Sequence, residues 1–377
     1  MGWLMNNRER TMAVLNYQHY DHMPLVHFGY WTELLLKWAA EGHITEHQAR
    51  TCWDGSDSDR ELDKLLGWDY CWTCAAGTNN GLLPQFEYKV IEELPEGMKI
   101  VQNGNGLLEK VRDGAVSIPA TVGTLLTGRE AWENLYLPRL QPDESRWGGA
   151  EQVKRRQAEL DAVTGYPVGM FAGSLYGAIR DMLGVENLSY LYADDEELYY
   201  EIIGTVGNLC YQNVKSALEA GARVDFLHFW EDICFKNGPL VSPAIFREHV
   251  APYYKKINDC ARGHGCMFTA LDCDGCIDKL VPIWLENGVN IMFPIEVGTW
   301  GASIEPWREQ YGKELRGVGG MDKRVMAQDY KAIEREVDRL RGLIELGGYI
   351  PCPDHRLPPE AKWENVQYYC ELMHKYT

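Results

Sequence analysis

The segment that decides the fold is residues 224–275, which read VDFLHFWEDICFKNGPLVSPAIFREHVAPYYKKINDCARGHGCMFTALDCDG. A short apolar run at 224–229 ends in acidic residues, and Ser242 and Pro243 then supply the N-cap and first-turn proline of a helix. Apolar residues recur at helical spacing along that helix, at Phe246, Val250, Tyr253, Ile257 and Ala261. A second apolar run, 267–271, follows, so the segment predicts a strand, a helix and a second strand parallel to the first.

The same unit repeats from this segment to the end of the chain. Predicted helices and strands alternate over 277–286, 291–295, 304–311, 315–318, 330–346, 349–351 and 360–376. Five consecutive units of this kind indicate a parallel sheet. A doubly wound open sheet has the same alternation, but usually with a Gly-rich phosphate loop that this sequence lacks. Upstream, 24–28 and 166–171 predict further strands, and the alternating pattern of 85–118 predicts an antiparallel excursion rather than a separate domain.

Composition excludes two classes of partner. The chain has 377 residues, 45% of them hydrophobic, which is enough for a large core. With 37 Lys and Arg against 55 Asp and Glu, the net charge of -18 would repel a phosphate backbone, so we expect no nucleic acid partner. Residues 1–11 lack the apolar core of a signal peptide, and no stretch approaches the roughly 18 to 20 apolar residues of a membrane span. We therefore expect a cytoplasmic protein that does not enter the membrane.

The cysteines allow two interpretations. There are eleven, scattered through a large chain, which favours reduced thiols over a disulfide framework. Two pairs have the CxxC spacing, Cys71 with Cys74 and Cys273 with Cys276. A four-thiolate zinc site would require these pairs to converge across about two hundred residues. The reading that we favour is that Cys71 and Cys74 are small buried hydrophobic side chains.

Several motifs together resemble one protein family. Residues 347–359 read GGYIPCPDHRLPP and are followed by Trp363-Glu364-Asn365, which resembles the closing signature of the uroporphyrinogen decarboxylase-like superfamily. Residues 7–24 resemble the opening helix and first strand of that family. The blocks KNGPLVSP at 236–243 and GGMDKR at 319–324 are similar to two more of its recurrent motifs. The resemblance runs nearly end to end, and it implies a single-domain (β/α)8 TIM barrel over 1–377 that often forms a homodimer.

The superfamily contains two chemistries, and the first strand helps to choose between them. Some members decarboxylate a tetrapyrrole without a metal, whereas others transfer methyl groups to or from a corrinoid and commonly carry zinc. The decarboxylases bind the carboxylates of their substrate with arginines in the loop after the first strand, because guanidinium pairs well with carboxylate. The corresponding residues 26–33 read VHFGYWTE and contain no arginine. The resemblance is therefore closest to the methyltransferase branch, with Tyr30 and Trp31 as candidates to contact a flat, weakly charged substrate.

Two aspartates lie where barrel enzymes place catalytic groups. Asp272 and Asp274 follow the predicted strand 267–271, at its carboxyl end. The resemblance places the His-x-Cys zinc ligands of the methyltransferases at these two positions and the third ligand, a cysteine in the family, at His355. Carboxylates are harder ligands than thiolates, and an oxygen-rich zinc site suits polarisation of an ether oxygen. The alternative is that Asp272 or Asp274 only caps the helix that begins near Ile277.

Other strand ends supply further candidates. Glu231 and Asp232 end the strand at 224–230, and Glu296 ends 291–295, so one of them is expected to be a fourth ligand or a general acid. The alternative is a solvated carboxylate that holds loop amides. His228, inside a strand, is expected to be a hydrogen-bonded core residue. The candidate site consists of the catalytic residues Glu231, Asp272, Asp274 and His355, the substrate-binding residues Tyr30, Trp31, Tyr176 and Glu296, and the zinc ligands Asp272, Asp274 and His355.

These observations lead to one main hypothesis and two alternatives. The main hypothesis is a zinc-assisted, corrinoid-dependent methyltransferase that moves a methyl group from an oxygen donor, a methoxylated aromatic, to cob(I)alamin. The chain has no Asp-x-His-x-x-Gly segment of the kind that binds cobalamin, so the corrinoid is expected on a partner protein. The first alternative is a metal-free decarboxylase of a small carboxylated substrate. The second alternative is a catalytically silent barrel that serves as a binding subunit. The metal content of the purified protein distinguishes the main hypothesis from both alternatives.

Overall fold

The computed structural model describes residues 4–112, 119–163 and 165–376. The strands are β1 Val26–His27, β2 Tyr70–Cys71, β3 Cys74–Gly77, β4 Lys89–Leu94, β5 Met98–Gln102, β6 Leu107–Arg112, β7 Ala120–Thr124, β8 Gly169–Gly173, β9 Phe226–Trp230, β10 Cys234–Phe235, β11 Gly238–Pro239, β12 Phe268–Asp272, β13 Ile291–Phe293, β14 Arg316–Met321 and β15 Tyr349–Pro353. The helices are α1 Asn7–Leu15, α2 Thr32–Ala40, α3 Glu46–Thr51, α4 Asp57–Leu66, α5 Arg129–Ala131, α6 Gly149–Ala162, α7 Gly177–Leu183, α8 Val185–Asp194, α9 Glu196–Glu219, α10 Pro243–Ile245, α11 Ala251–Gly263, α12 Val281–Glu286, α13 Val297–Trp300, α14 Ile304–Tyr311, α15 Tyr330–Ile344 and α16 Trp363–Tyr376.

The parallel strands form a closed (β/α)8 barrel. Seven of them pair in the order β15, β14, β13, β12, β9, β8, β3, and β1 pairs with β2, which continues into β3 after a short break. On the other side of β1, the backbone of Leu357 accepts from the N–H of Trp31 and donates to the carbonyl of Gly29. These bonds join β1 to the segment after β15 and close the ring. The parallel sheet that the sequence predicts is confirmed, and so is the barrel.

Large apolar side chains fill the interior of the barrel. Successive side chains of a strand point to opposite faces, so every second residue faces inward. Trp72 stacks on Phe226 with ring centroids 4.5 Å apart, and Phe28 meets Phe293 edge-on at 4.6 Å. The opposite faces of the strands pack against the surrounding helices in a second, larger cluster. Apolar side chains therefore pack the interior of the barrel below the carboxyl ends of its strands.

The antiparallel excursion is confirmed. β4, β5, β6 and β7 form one antiparallel sheet, which extends beyond the predicted 85–118 to Thr124. Residues 113–118 of the predicted segment lie outside the described residues. Val90 and Ile91 of β4 are about half exposed, so this edge of the sheet faces away from the barrel. Among the helices of the described ranges, none has the length and apolar content of a membrane span.

The helix predicted to begin at Ser242 is built from two pieces. Pro243 occupies the first turn as expected, but the Ser242 side chain makes no capping hydrogen bond. Residues Phe246–Val250 then form a widened π-type turn before α11. Pro252 in the first turn of α11 explains the interruption, because proline has no N–H to donate and its ring clashes with the preceding turn.

Candidate metal centre and active site

A cavity of about 410 Å³ opens at the carboxyl end of the barrel. Its lining residues are Phe28, Asp54, Trp72, Thr73, Cys74, Phe171, His228, Trp230, Asp232, Asp272, Asp274, His355 and Arg356. Asp232, Asp272 and Asp274 each place one carboxylate oxygen within 4.8 Å of the other two. Asp272 is the last residue of β12, and Asp232 follows β9, the neighbouring strand. Parallel strands that end side by side therefore bring the three carboxylates together.

A tight turn after β12 positions Asp274. Its backbone N–H donates to Asp232 Oδ1 at 3.1 Å, which ties the two loops to each other. Gly275 follows with φ +86°, and a Cβ there would lie 2.5 Å from the carbonyl oxygen of Cys234. Only glycine fits this conformation and this close approach. The Gly275 N–H donates to Glu296 Oε2 at 2.6 Å, so Glu296 supports the turn from below.

Among the described residues, no lysine or arginine forms an ion pair with the three carboxylates, whose ion-pair contacts are with the imidazoles of His228 and His355. Burial, together with the charges of Asp274 and Asp272, raises the pKa of Asp232 to about 7. Burial and the charge of Asp274 also raise the pKa of Asp272 well above its usual range. Asp274 Oδ1 is buried, and no described residue hydrogen-bonds to it. Clustered and unpaired carboxylates are costly to bury, so this donor set fits a divalent cation, which would pair all three.

His355 borders the aspartate cluster. Its Nε2 lies 3.4 Å from Asp274 Oδ2, and its ring stacks on Trp31 with centroids 5.9 Å apart and an interplanar angle of 19°. The mutually close ligand group contains Asp232 rather than His355. The three residues predicted as ligands, Asp272, Asp274 and His355, thus line the same cavity, but the close group has Asp232 in the place of His355.

His228 corrects one expectation. It lies on β9 opposite Ala270 of β12 and lines the cavity, with its Nε2 3.8 Å from Asp272 Oδ2. Its Nδ1 is buried without a hydrogen-bond partner in the described chain, so it is not the hydrogen-bonded core histidine that we expected. Burial lowers the pKa of His228 to about 4, which keeps the imidazole neutral. The sequence could have indicated this position, because His228 is two residues after the inward-facing Phe226 and alternate residues of a strand share a face.

The sequence analysis also missed a paired arginine in the cavity. The guanidinium of Arg356 donates to both carboxylate oxygens of Asp54, at 2.8 and 2.5 Å. Gly29 makes room for this pair, since a Cβ there would lie 2.4 Å from Arg356 Nη1. Arg356 follows His355 directly in the closing motif, and that adjacency was the available signal.

Glu231 lies outside the cavity lining. It is fully buried, and its carboxylate accepts from the N–H groups of Leu175, Tyr176 and Gly177 at 2.7 to 2.9 Å and from the Tyr254 hydroxyl. The chain turns after β9, where Asp232 has a positive φ of +47°, so Asp232 lines the cavity while Glu231 accepts from the first turn of α7. The structure therefore gives Glu231 a role in holding the first turn of α7, and the carboxylate is buried rather than solvated.

Two predicted substrate contacts also lie away from the cavity. The Tyr176 hydroxyl is 2.8 Å from that of Tyr199, and both are buried. Tyr30 is buried outside the barrel wall, against His27 and Trp38. Of the predicted aromatic contacts, the structure brings only Trp31 to the site among the described residues, through its stacking on His355.

The two CxxC pairs do not form a zinc site. All four thiols are free, and within the described ranges no cluster of potential ligands combines the pairs. Cys71 is buried as expected, but it points away from the cavity, whereas Cys74 lines it.

Comparison with known proteins identifies the family. Residues 149–376 match the family model described as uroporphyrinogen decarboxylase (URO-D), which covers more than half of the chain. A methyltransferase from Methanosarcina mazei has a similar structure, with a TM-score of 0.57, 16% sequence identity and 99% of each chain covered. A B12-independent methionine synthase from a Shewanella species reaches a TM-score of 0.47 at 13% identity, over 94% of this chain and 98% of its own. A search of curated protein sequences finds no match. The structural likeness supports the fold alone, and the family match establishes that this chain belongs to the uroporphyrinogen decarboxylase (URO-D) family.

Proposed function

We propose that this protein is a methyltransferase that moves a methyl group from an oxygen donor to cob(I)alamin carried by a partner protein. The observation that carries the proposal is the cluster of Asp232, Asp272 and Asp274 beside His355, inside an aromatic cavity. A solved methyltransferase shares this fold over nearly the whole of both chains, which agrees with methyl transfer in general.

The aspartate cluster fits zinc. Carboxylate oxygen and imidazole nitrogen are both zinc ligands, and three protein ligands leave a position open for a substrate. We assign Asp232, Asp272 and Asp274 as the three ligands, with His355 next to Asp274 and outside the ligand set. Zinc held there would act as a Lewis acid toward the oxygen of the methyl donor. The chain itself would hold the donor ring and exclude water from it.

The cavity walls favour a flat and weakly charged donor. Four aromatic side chains line the cavity: Phe28, Trp72, Phe171 and Trp230. Its volume of about 410 Å³ suits a small molecule such as a methoxylated aromatic. Among the described lining residues, Arg356 is the only arginine, and Asp54 already occupies its guanidinium. The several carboxylates of uroporphyrinogen would therefore lack partners in this cavity.

A spectroscopic assay tests the proposal. Enzyme, cob(I)alamin and a panel of methoxybenzenes are mixed without oxygen, and methylcobalamin formation is followed by absorbance. We expect turnover with at least one donor, strong loss in Asp274→Asn, and none in Asp57→Asn, a change of similar chemistry at an exposed position on α4. Removal of zinc should lower kcat strongly and affinity for the ring much less. The assignment fails if no donor yields methylcobalamin and methylcobalamin methylates no oxygen or thiol acceptor.

The family match favours a second candidate, a metal-free decarboxylase of a small carboxylated substrate. The raised pKa of Asp232, to about 7, would let it act as a proton donor in such a reaction. Release of carbon dioxide from small carboxylic acids by metal-free enzyme would support this candidate, whereas loss of all activity on metal removal would exclude it.

A further inference from the structure

A group of potential metal ligands lies at the amino end of the barrel, opposite the active-site cavity. His22 precedes β1, Asp69 is the residue before β2, and His374 lies in the last turn of α16. One ligand atom from each of the three lies within 4.8 Å of the other two. The rings of His22 and His374 meet edge-on, with centroids 6.1 Å apart. Two imidazoles and a carboxylate from three separate elements therefore converge on one point.

The backbone fixes Asp69 and leaves one of its carboxylate oxygens free. The Asp69 N–H donates to the Leu25 carbonyl at 2.9 Å, and the Leu25 N–H donates back to Asp69 Oδ2 at 2.8 Å. Among the described residues, nothing hydrogen-bonds to Asp69 Oδ1, and no lysine or arginine forms an ion pair with this carboxylate. Asp69 Oδ1 is therefore available to a cation.

The hydrogen bond of His374 leaves the other ring nitrogen with its lone pair. His374 Nε2 lies 2.9 Å from the carbonyl oxygen of Gly67, the residue that follows α4. A carbonyl oxygen only accepts, so Nε2 carries the ring proton and Nδ1 does not. Histidines that bind a metal commonly donate their second ring N–H to a backbone carbonyl in this way, which fixes the tautomer and the direction of the ring.

His22 is a neutral imidazole with no hydrogen bond from the described residues. Its Nδ1 is 3.7 Å from Asp21 Oδ1, which is beyond hydrogen-bond range. Asp21 is already occupied, because the Arg10 guanidinium donates to both of its carboxylate oxygens at 2.6 and 2.9 Å. Burial and the charge of Arg10 lower the pKa of His22, so its ring is unprotonated at pH 7 and can donate a lone pair.

We propose that His22, Asp69 and His374 bind a zinc ion at the amino end of the barrel. Imidazole nitrogen and carboxylate oxygen are both zinc ligands, and three protein ligands leave the outward position to water. Zinc bonds of about 2.0 to 2.2 Å place tetrahedral ligands about 3.3 Å apart. The side chains of His22 and His374 lie partly in solvent, so small rotations bring their nitrogens from within 4.8 Å to that separation.

The ion would join the last turn of α16 to the residues that precede β1 and β2. It would thereby stabilise the packing of α16 on the barrel. This site shares no ligand with the aspartate cluster, which lies at the carboxyl ends of the strands. The proposal therefore stands independently of the proposed methyl transfer.

Zinc titration of the chelator-treated, full-length protein by calorimetry tests the proposal. In His374→Gln the amide NH2 can still donate to the Gly67 carbonyl, but the lone pair of Nδ1 is lost. We expect this variant to bind one zinc ion fewer per chain than the parent protein. His264→Gln is the matched control, because His264 is also exposed and contacts a backbone carbonyl, that of Cys260 at 3.0 Å, outside any described ligand group. It should bind as much zinc as the parent.

Thermal unfolding separates this site from the active-site cluster. Asp274→Asn removes a ligand of the aspartate cluster, and added zinc should still raise the Tm of that variant. The increase should disappear when His374→Gln is added to Asp274→Asn. Equal zinc binding by the parent protein and folded His374→Gln would overturn the proposal. An increase in Tm that persists unchanged in the double variant would also overturn it.

Discussion

Replacement of Glu231, which does not line the active-site cavity, should destabilise the barrel. Its Oε2 accepts from the N–H groups of Tyr176 and Gly177, and its Oε1 accepts from Leu175 N–H and the Tyr254 hydroxyl. In Glu231→Gln the amide NH2 must face at least one backbone N–H, whichever way it is turned. A buried donor without an acceptor costs roughly 1 to 3 kcal/mol, and we expect a loss of that size in the free energy of unfolding.

Removal of the whole side chain should cost more. Glu231→Ala leaves all three backbone N–H groups without their acceptor, and we expect a loss of roughly 3 to 5 kcal/mol. Urea unfolding followed by tryptophan fluorescence measures both variants, with Glu371→Gln on the exposed face of α16 as the control. If Glu231→Ala and Glu231→Gln unfold within about 0.5 kcal/mol of the control, a typical surface effect, the assigned role of Glu231 is wrong.

Three further predictions concern the active-site cavity. Asp274→Asn and Asp232→Asn should each lower zinc occupancy of the aspartate cluster while the barrel stays folded. Metal analysis measures the zinc, and circular dichroism measures the fold. Full retention of zinc in both variants would contradict the ligand set. In the metal-free protein, the Asp232 pKa of about 7 means that the folded state holds this proton more tightly than the unfolded chain does. The free energy of unfolding should therefore fall as pH rises from about 4 to about 7. Thermal unfolding with chelator present measures this dependence, and Asp232→Asn should make it less steep. If the parent protein and the variant show the same pH dependence, Asp232 is not its cause. Uroporphyrinogen should not be decarboxylated at an ordinary enzymatic rate, so a kcat of about 1 per second or more would overturn our reading of the cavity.

The second half of the barrel was predictable because each of its units is encoded locally. The predicted helix 304–311 agrees with α14, and the predicted strands lie within a few residues of β12 to β15. The first half was harder, since β1 has only two residues and the next wall strand is broken at Trp72 and Thr73. Such short or interrupted strands show little periodicity, and their pairing depends on partners distant in the chain.

The candidate site was predictable where function follows from position at a strand end. Asp272 and Asp274 were found in this way, and His355 through the closing motif. Glu231 and Asp232 could not be separated by residue type, because both are acidic and both follow β9. Only the direction of each side chain separates them, and that depends on how the chain turns after the strand.

The pairing of Arg356 with Asp54 has a consequence for selectivity. Asp54 belongs to the same chain, so its carboxylate competes for the guanidinium as an intramolecular ligand. Its effective concentration there is on the order of millimolar or higher, as for other tethered groups. An anionic molecule in solution binds Arg356 only by displacing a ligand that never diffuses away. The cavity thus discriminates against anions, because Asp54 already occupies the guanidinium of Arg356. A neutral molecule does not need that guanidinium, so Asp54 does not compete with it.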